Sequence, residues 1–139
     1  MNAIDTNVLV YAHDPANPAK QKCARELIEN ITDPVLLWQV ATEYLAVIHK
    51  LKNKGMAIDT HDAFAKVRDL AGLWPLILPS AGLIDRCENL MSKYSLQYWD
   101  AMIVAACLDA GVETLYSEDI NPGEMPGLRF INPFVVAAP

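Results

Sequence analysis

Positive charge is scarce in this chain: 11 lysines and arginines stand against 17 aspartates and glutamates, for a net charge of −6. That balance excludes sequence-blind binding to nucleic acid through a whole-surface positive field. Cysteine is scarce too. Cys23, Cys87 and Cys107 are odd in number, far apart, and each falls on the apolar stripe of an expected helix. They read as small core residues in a reducing compartment, not as a disulfide set or a zinc site. His13, His49 and His61 form no HxxxH or HExxH pair, which argues against a zinc enzyme. No apolar run nears the roughly 18 to 20 residues that span a bilayer; the longest is Ala101 to Leu108. The opening residues carry no basic cluster, and Asp5 interrupts the apolar core that an export signal needs. The expectation is a soluble, cytoplasmic protein with no membrane association. Internal repeats and low-complexity segments are absent as well.

What is present suffices for one core. With 139 residues, 53% apolar and 20% charged, the chain reads as a single globular domain over residues 1–139. Its most informative stretch is the start, Ile4-Asp5-Thr6-Asn7-Val8-Leu9-Val10-Tyr11. An apolar strand ends on a carboxylate, a hydroxyl and an amide, then resumes as an apolar helix. Asp5 sits between apolar neighbours, and burying an unpaired charge costs several kcal/mol. Two readings stand open: Asp5 caps the helix that follows, or it meets a cation at the carboxyl edge of a sheet, where ligands of open α/β sheets collect.

The rest of the chain alternates in type. Pro18 opens a helix reaching about Ile31, with Cys23, Leu27, Ile28 and Ile31 at helical spacing. Val35-Leu36-Leu37-Trp38 is a short buried strand. A helix over about Gln39 to Asn53 follows, its stripe formed by Val40, Tyr44, Val47, Ile48 and Leu51. Glu43 lies at the margin of that stripe, with Lys50 and Lys54 further along the same side. Asp59-Thr60 opens the next helix and Trp74-Pro75 closes it. Leu76-Ile77-Leu78 reads as another buried strand, and Pro79-Ser80 as the cap of a helix whose stripe carries Ile84, Cys87, Leu90, Met91 and Tyr94. Asp100 begins an Ala-rich helix and shares a face with Ile103, Val104 and Cys107. Thr114 to Ser117 is a strand running into Glu118-Asp119, and Leu128 to Ile131 is the last. The tail from Pro133 to Pro139 is apolar without period, suited to local packing or an interface.

This alternation predicts a three-layer α/β/α sandwich around a central, mainly parallel sheet of four to five strands. In such a sheet Asp5, Glu43, Asp100 and Asp119, remote in sequence, all reach the carboxyl edge. Four clustered carboxylates raise one another's pKa and call for cations. All-oxygen ligation without His or Cys selects Mg2+ or Mn2+ over zinc or copper. Such ions can activate water and steady a leaving oxygen in phosphodiester cleavage.

The motifs Ile4-Asp5-Thr6-Asn7-Val8-Leu9-Val10-Tyr11, Glu43 in Gln39-Val40-Ala41-Thr42-Glu43-Tyr44, Asp100 in Tyr98-Trp99-Asp100-Ala101-Met102-Ile103-Val104-Ala105-Ala106, and Ser117-Glu118-Asp119 resemble those of a PIN domain, specifically the VapC-type nuclease toxins of toxin–antitoxin pairs. The resemblance spans nearly the whole length. It implies a magnesium-dependent endoribonuclease that cuts structured RNA, such as tRNA or rRNA, and leaves 5′-phosphate and 3′-hydroxyl ends. It implies a cognate antitoxin whose tail lies in the cleft, and a homodimer. By the same resemblance Asp5 and Asp100 are the principal metal ligands, and Glu43 and Asp119 complete the cluster. Thr6, Asn7 and Ser117 orient the acids and the attacking water. Family members differ in which acid of the Ser117-Glu118-Asp119 run faces the metal, so Glu118 is the alternative to Asp119.

Three other readings compete. An aspartyl phosphotransferase of the haloacid-dehalogenase type needs a second Asp two residues after Asp5, and that place is Asn7. A housekeeping RNA-processing nuclease would share the same site. A non-catalytic RNA- or protein-binding module would be free to lose the four acids, and all four are present. Lys50 and Lys54 are either contacts for RNA phosphates or a solvated helix face.

Overall fold

A computed structural model describes residues 1–135. Strand β1 (Asn2–Ile4) leads through Asp5 into the short helix α1 (Thr6–Tyr11), and α2 (Pro18–Asn30) follows. Next come β2 (Leu36–Leu37), α3 (Trp38–Lys50), α4 (Thr60–Leu73) and β3 (Leu76–Ile77). Helices α5 (Leu83–Lys93) and α6 (Tyr98–Ala110) precede β4 (Thr114–Tyr116) and β5 (Arg129–Ile131).

Every pairing among these five strands is parallel. A three-stranded sheet has the order β1-β4-β5, and β2 pairs with β3 in a second, two-stranded sheet. A single parallel bridge between Asn2 and Pro34 joins the two: the Asn2 amide donates to Asp33 at 2.9 Å and the Val35 amide to Asn2 at 2.9 Å. Pro34 fits there because the bridge uses its neighbours' groups and needs no N–H of its own. The helices flank this parallel sheet, as the alternation of the sequence predicts.

The core explains the order of elements. Helix α6 buries Ala101, Ile103, Val104, Ala105, Ala106 and Cys107, and a helix that is apolar nearly all round belongs in the interior. It ends at Gly111, whose φ of 78° is the left-handed geometry that glycine adopts without strain. Tyr44 and Ile48 of α3, Leu9 of α1 and Leu115 of β4 fill the same core.

Several boundaries differ from the sequence reading, each for a local reason. The strand expected over Val35 to Trp38 shortens to two residues because Trp38 already belongs to α3. Helix α3 ends at Lys50, not Asn53, since Asn53 and Gly55 both take positive φ. Leu76–Ile77 is half-buried and pairs only with β2, and Leu78 is 64% exposed, so this strand is an edge and not buried. Helix α5 starts at Leu83 with Gly82 as its cap, past Pro79 and Ser80. Its buried stripe is Leu83, Cys87 and Leu90, which turns Ile84 (72% exposed) and Met91 to solvent. Of the apolar tail, Phe134 packs edge-on against Tyr11 at 5.0 Å between ring centroids; residues 136–139 lie outside the described part. No helix among the described residues is long and apolar enough to cross a membrane.

Candidate functional site

The register of two strands builds the centre of the site. Ile4 of β1 pairs with Tyr116 of β4, so the next residues, Asp5 and Ser117, leave the sheet side by side at its carboxyl edge. The Asp5 amide prolongs the ladder to Tyr116 at 2.8 Å. Its carboxylate is 6% exposed and accepts two hydrogen bonds of 2.7 Å, from the Thr6 amide and from the Ser117 hydroxyl. Asp5 is thus the N-cap of α1, as the first of the two readings has it, and it is also a buried acid at the sheet edge.

Three further acids approach from other elements. The Thr6 hydroxyl donates to Glu43 of α3 at 2.9 Å. The Asn7 amide nitrogen donates to Asp119 at 3.1 Å. Ser117 Oγ, besides donating to Asp5, accepts from the amides of Asp119 (3.2 Å) and Ile120 (3.0 Å), which shapes the turn that brings Asp119 round. Asp100, third residue of α6, accepts from Gln97 Nε2 at 3.1 Å. It stands in the first turn, where the helix dipole favours an anion by roughly 0.3 to 1 kcal/mol; Gln97, not Asp100, holds the cap position.

These side chains line one cavity of about 340 Å³, formed by Asp5, Thr6, Asn7, Val10, Tyr11, Glu43, Val47, Asp100 and Asp119. Four carboxylates line it and no lysine or arginine does. Burial pushes the Asp5 carboxyl above its ordinary range; the bonds from Ser117 and Thr6 pull the other way, and the charges of Asp100 and Asp119 add to the rise. Glu43 is raised by burial against the bond from Thr6, with Asp5 and Asp100 adding repulsion. Cys107 is raised by burial and by the charge of Asp5, which keeps that thiol protonated and unreactive.

The donor set suits a hard divalent cation. All available ligands are oxygens, and Asn7 Oδ1, at the cavity wall, is buried with no hydrogen-bond partner among the described residues. As the side chains stand, no three acid, imidazole or thiol groups among the described residues are close enough together to grip one ion.

Glu118 points elsewhere. It accepts from Tyr11 Oη at 3.1 Å and forms an ion pair with Lys20 at 2.9 Å. Nothing in the sequence flags Lys20, because its partner lies 98 residues away. Lys50 ends α3 and Lys54 lies in the turn beyond it, so they do not continue one helix edge as the sequence suggests; both are exposed and neither lines the cavity.

A parallel α/β protein with an acid-lined cavity at its sheet's carboxyl edge is the class that these features define. The family model described as PIN domain matches residues 3–127. The chain belongs to the PIN domain family. Ribonuclease VapC48 of Mycobacterium tuberculosis is 29% identical over 146 aligned positions, covering 94% of this chain and 95% of the relative. A toxin–antitoxin complex from Klebsiella pneumoniae superposes with a TM-score of 0.67 at 17% identity, covering 98% of this chain and 100% of that one. Mycobacterium tuberculosis VapC20, a sarcin–ricin loop cleaving toxin, superposes with a TM-score of 0.63 at 14% identity, covering 86% and 90%. The two superpositions show a shared fold.

Proposed function

We propose that this protein is a metal-dependent endoribonuclease, the toxin of a toxin–antitoxin pair, with residues 1–139 forming a single nuclease domain. The observation that carries the reading is the convergence of Asp5, Glu43, Asp100 and Asp119 on one cavity without a cation among its lining residues. Similarity to a ribonuclease over nearly the whole of both chains agrees with it.

Asp5 and Asp100, with Glu43 and Asp119, would hold Mg2+ or Mn2+. When bound, such an ion supplies an acidified water and charge stabilisation for the leaving oxygen of an RNA phosphodiester. The chain's own part is orientation. Thr6 N–H and Ser117 Oγ–H hold Asp5 in one rotamer, Thr6 Oγ–H holds Glu43, and Asn7 holds Asp119. The products would carry a 5′-phosphate and a 3′-hydroxyl. Structured RNA, tRNA or rRNA, is the substrate class, a cognate antitoxin and a second copy of the chain are the partners, and Lys50 and Lys54 contact substrate phosphates.

Purified protein is expected to cleave RNA with magnesium and to stop in excess EDTA. Asp5→Asn and Asp100→Asn should each abolish cleavage while the far-ultraviolet circular dichroism stays that of the parent. Cleavage that survives EDTA would overturn the reading.

A further inference from the structure

The cluster formed by Lys20, Tyr11 and Glu118 is not explained by the cavity beside it. Lys20 comes from the first turn of α2, and its ammonium lies 2.9 and 3.0 Å from the two carboxylate oxygens of Glu118. The same ammonium donates to Tyr11 Oη at 3.3 Å and sits 4.7 Å from the centroid of the Tyr11 ring. Tyr11 in turn donates to Glu118. Glu118 is therefore partly buried, held by one cation and one phenol, and it directly precedes Asp119, which Asn7 holds on the cavity side. The turn is tethered from two sides.

We propose that Lys20 is a positioning residue that decides which acid of the Ser117-Glu118-Asp119 run faces the cavity. Two adjacent carboxylates compete for any cation placed there, and Glu118, with one more methylene, has the longer reach. Pairing it with Lys20 removes it from that competition and leaves Asp119 as the inward acid. Without the ammonium, Glu118 becomes a partly buried charge with a phenol as its only donor. Freed from Lys20 it is available to a cation bound in the cavity, and turning there would pull Asp119 off Asn7 and loosen the two amides bonded to Ser117 Oγ. This inference rests on the metal-dependent reading of the site.

Two measurements test it on the full chain. Calorimetric titration with MnCl2 compares the parent with Lys20→Met, Lys20→Arg and the double variant Lys20→Met/Glu118→Gln. Loss of an orienting group around metal ligands costs roughly 10-fold or more in affinity, so Lys20→Met should bind Mn2+ about 10-fold more weakly. Lys20→Arg should stay near the parent, and adding Glu118→Gln should recover most of the loss, which a general packing defect would not allow. Amide hydrogen exchange of the metal-free protein supplies a readout that needs no ion: Asp119 and Ile120 should exchange faster in Lys20→Met. Parent-like Mn2+ affinity in Lys20→Met, a double variant as weak as the single, or unchanged exchange would each overturn the proposal. A parent that binds no Mn2+ would sink the metal-dependent reading instead, and the exchange measurement would still judge the brace. Should Lys20→Met not fold, Tyr11→Phe keeps the ring, removes one donor to Glu118, and is expected to give a smaller affinity loss that Glu118→Gln again recovers.

Discussion

Ser117 shows how much one hydroxyl can hold. It is 2% exposed, donates to Asp5 and accepts two backbone amides. Ser117→Ala would leave a buried carboxylate with one donor fewer and two amides without an acceptor, and each such loss costs about 1–3 kcal/mol. Urea denaturation should therefore show a loss in that range or above, and nuclease activity should fall with it because Asp5 is no longer fixed. His13, whose ring packs against Tyr44, is a second residue-scale case. Burial lowers its pKa to about 4, helped by the positive charges of Lys66 and Arg25, and its Nε2 is buried without a partner. The unfolded chain takes up this proton near pH 6.5 and the folded chain only near 4, so stability should be full above 6.5 and fall as pH drops between the two. The loss is on the order of 2 kcal/mol once partial solvent contact is allowed for. His13→Gln should flatten the stability profile over pH 4 to 6.5; an equal slope in the variant would show that other groups carry it.

At the scale of elements, α5 separates what periodicity gives from what packing decides. The apolar residues of that helix allow more than one stripe, and the reading with Ile84 and Met91 inward differs from the observed one by a small rotation about the axis. Leu83, Cys87 and Leu90 win because they face α6, against which α5 packs. Leu83→Ala should cost about 2–4 kcal/mol and Ile84→Lys under about 0.5, as judged by chemical denaturation. The reverse order would restore the sequence-based stripe. Helix α6 was more legible, since its continuous apolar run leaves no polar face to orient. Lys20 and Glu118 were illegible for a different reason: a pair joining the start of one helix to the end of a remote strand has no local spacing to betray it.

Across the whole molecule, the proposed ribonuclease activity asks an acidic chain with four carboxylates in one cavity to attract a polyanion. A divalent ion, once bound, would offset part of that charge, and the proposed contacts of the exposed Lys50 and Lys54 would add to it. Replacing Lys50 and Lys54 together by Ala should weaken RNA binding and reduce the slope of log K against log salt by about 1 to 2, since each lost phosphate contact removes roughly 0.7 for a single strand. An unchanged slope would return both to the solvated face.

The sequence by itself determined which residues alternate between strand and helix, that Asp5 and Asp100 are acids set against apolar surroundings, and that no nitrogen or sulfur ligand pattern competes with them. Those properties are local, written in periodicity and residue type. Only the tertiary structure decided that Asp5 and Ser117 stand side by side, that Asp119 turns inward while Glu118 turns to Lys20, and that the lysines beyond Glu43 leave the helix edge. Each of these depends on strand register or on a contact between remote elements, and neither is set until the chain has closed on itself.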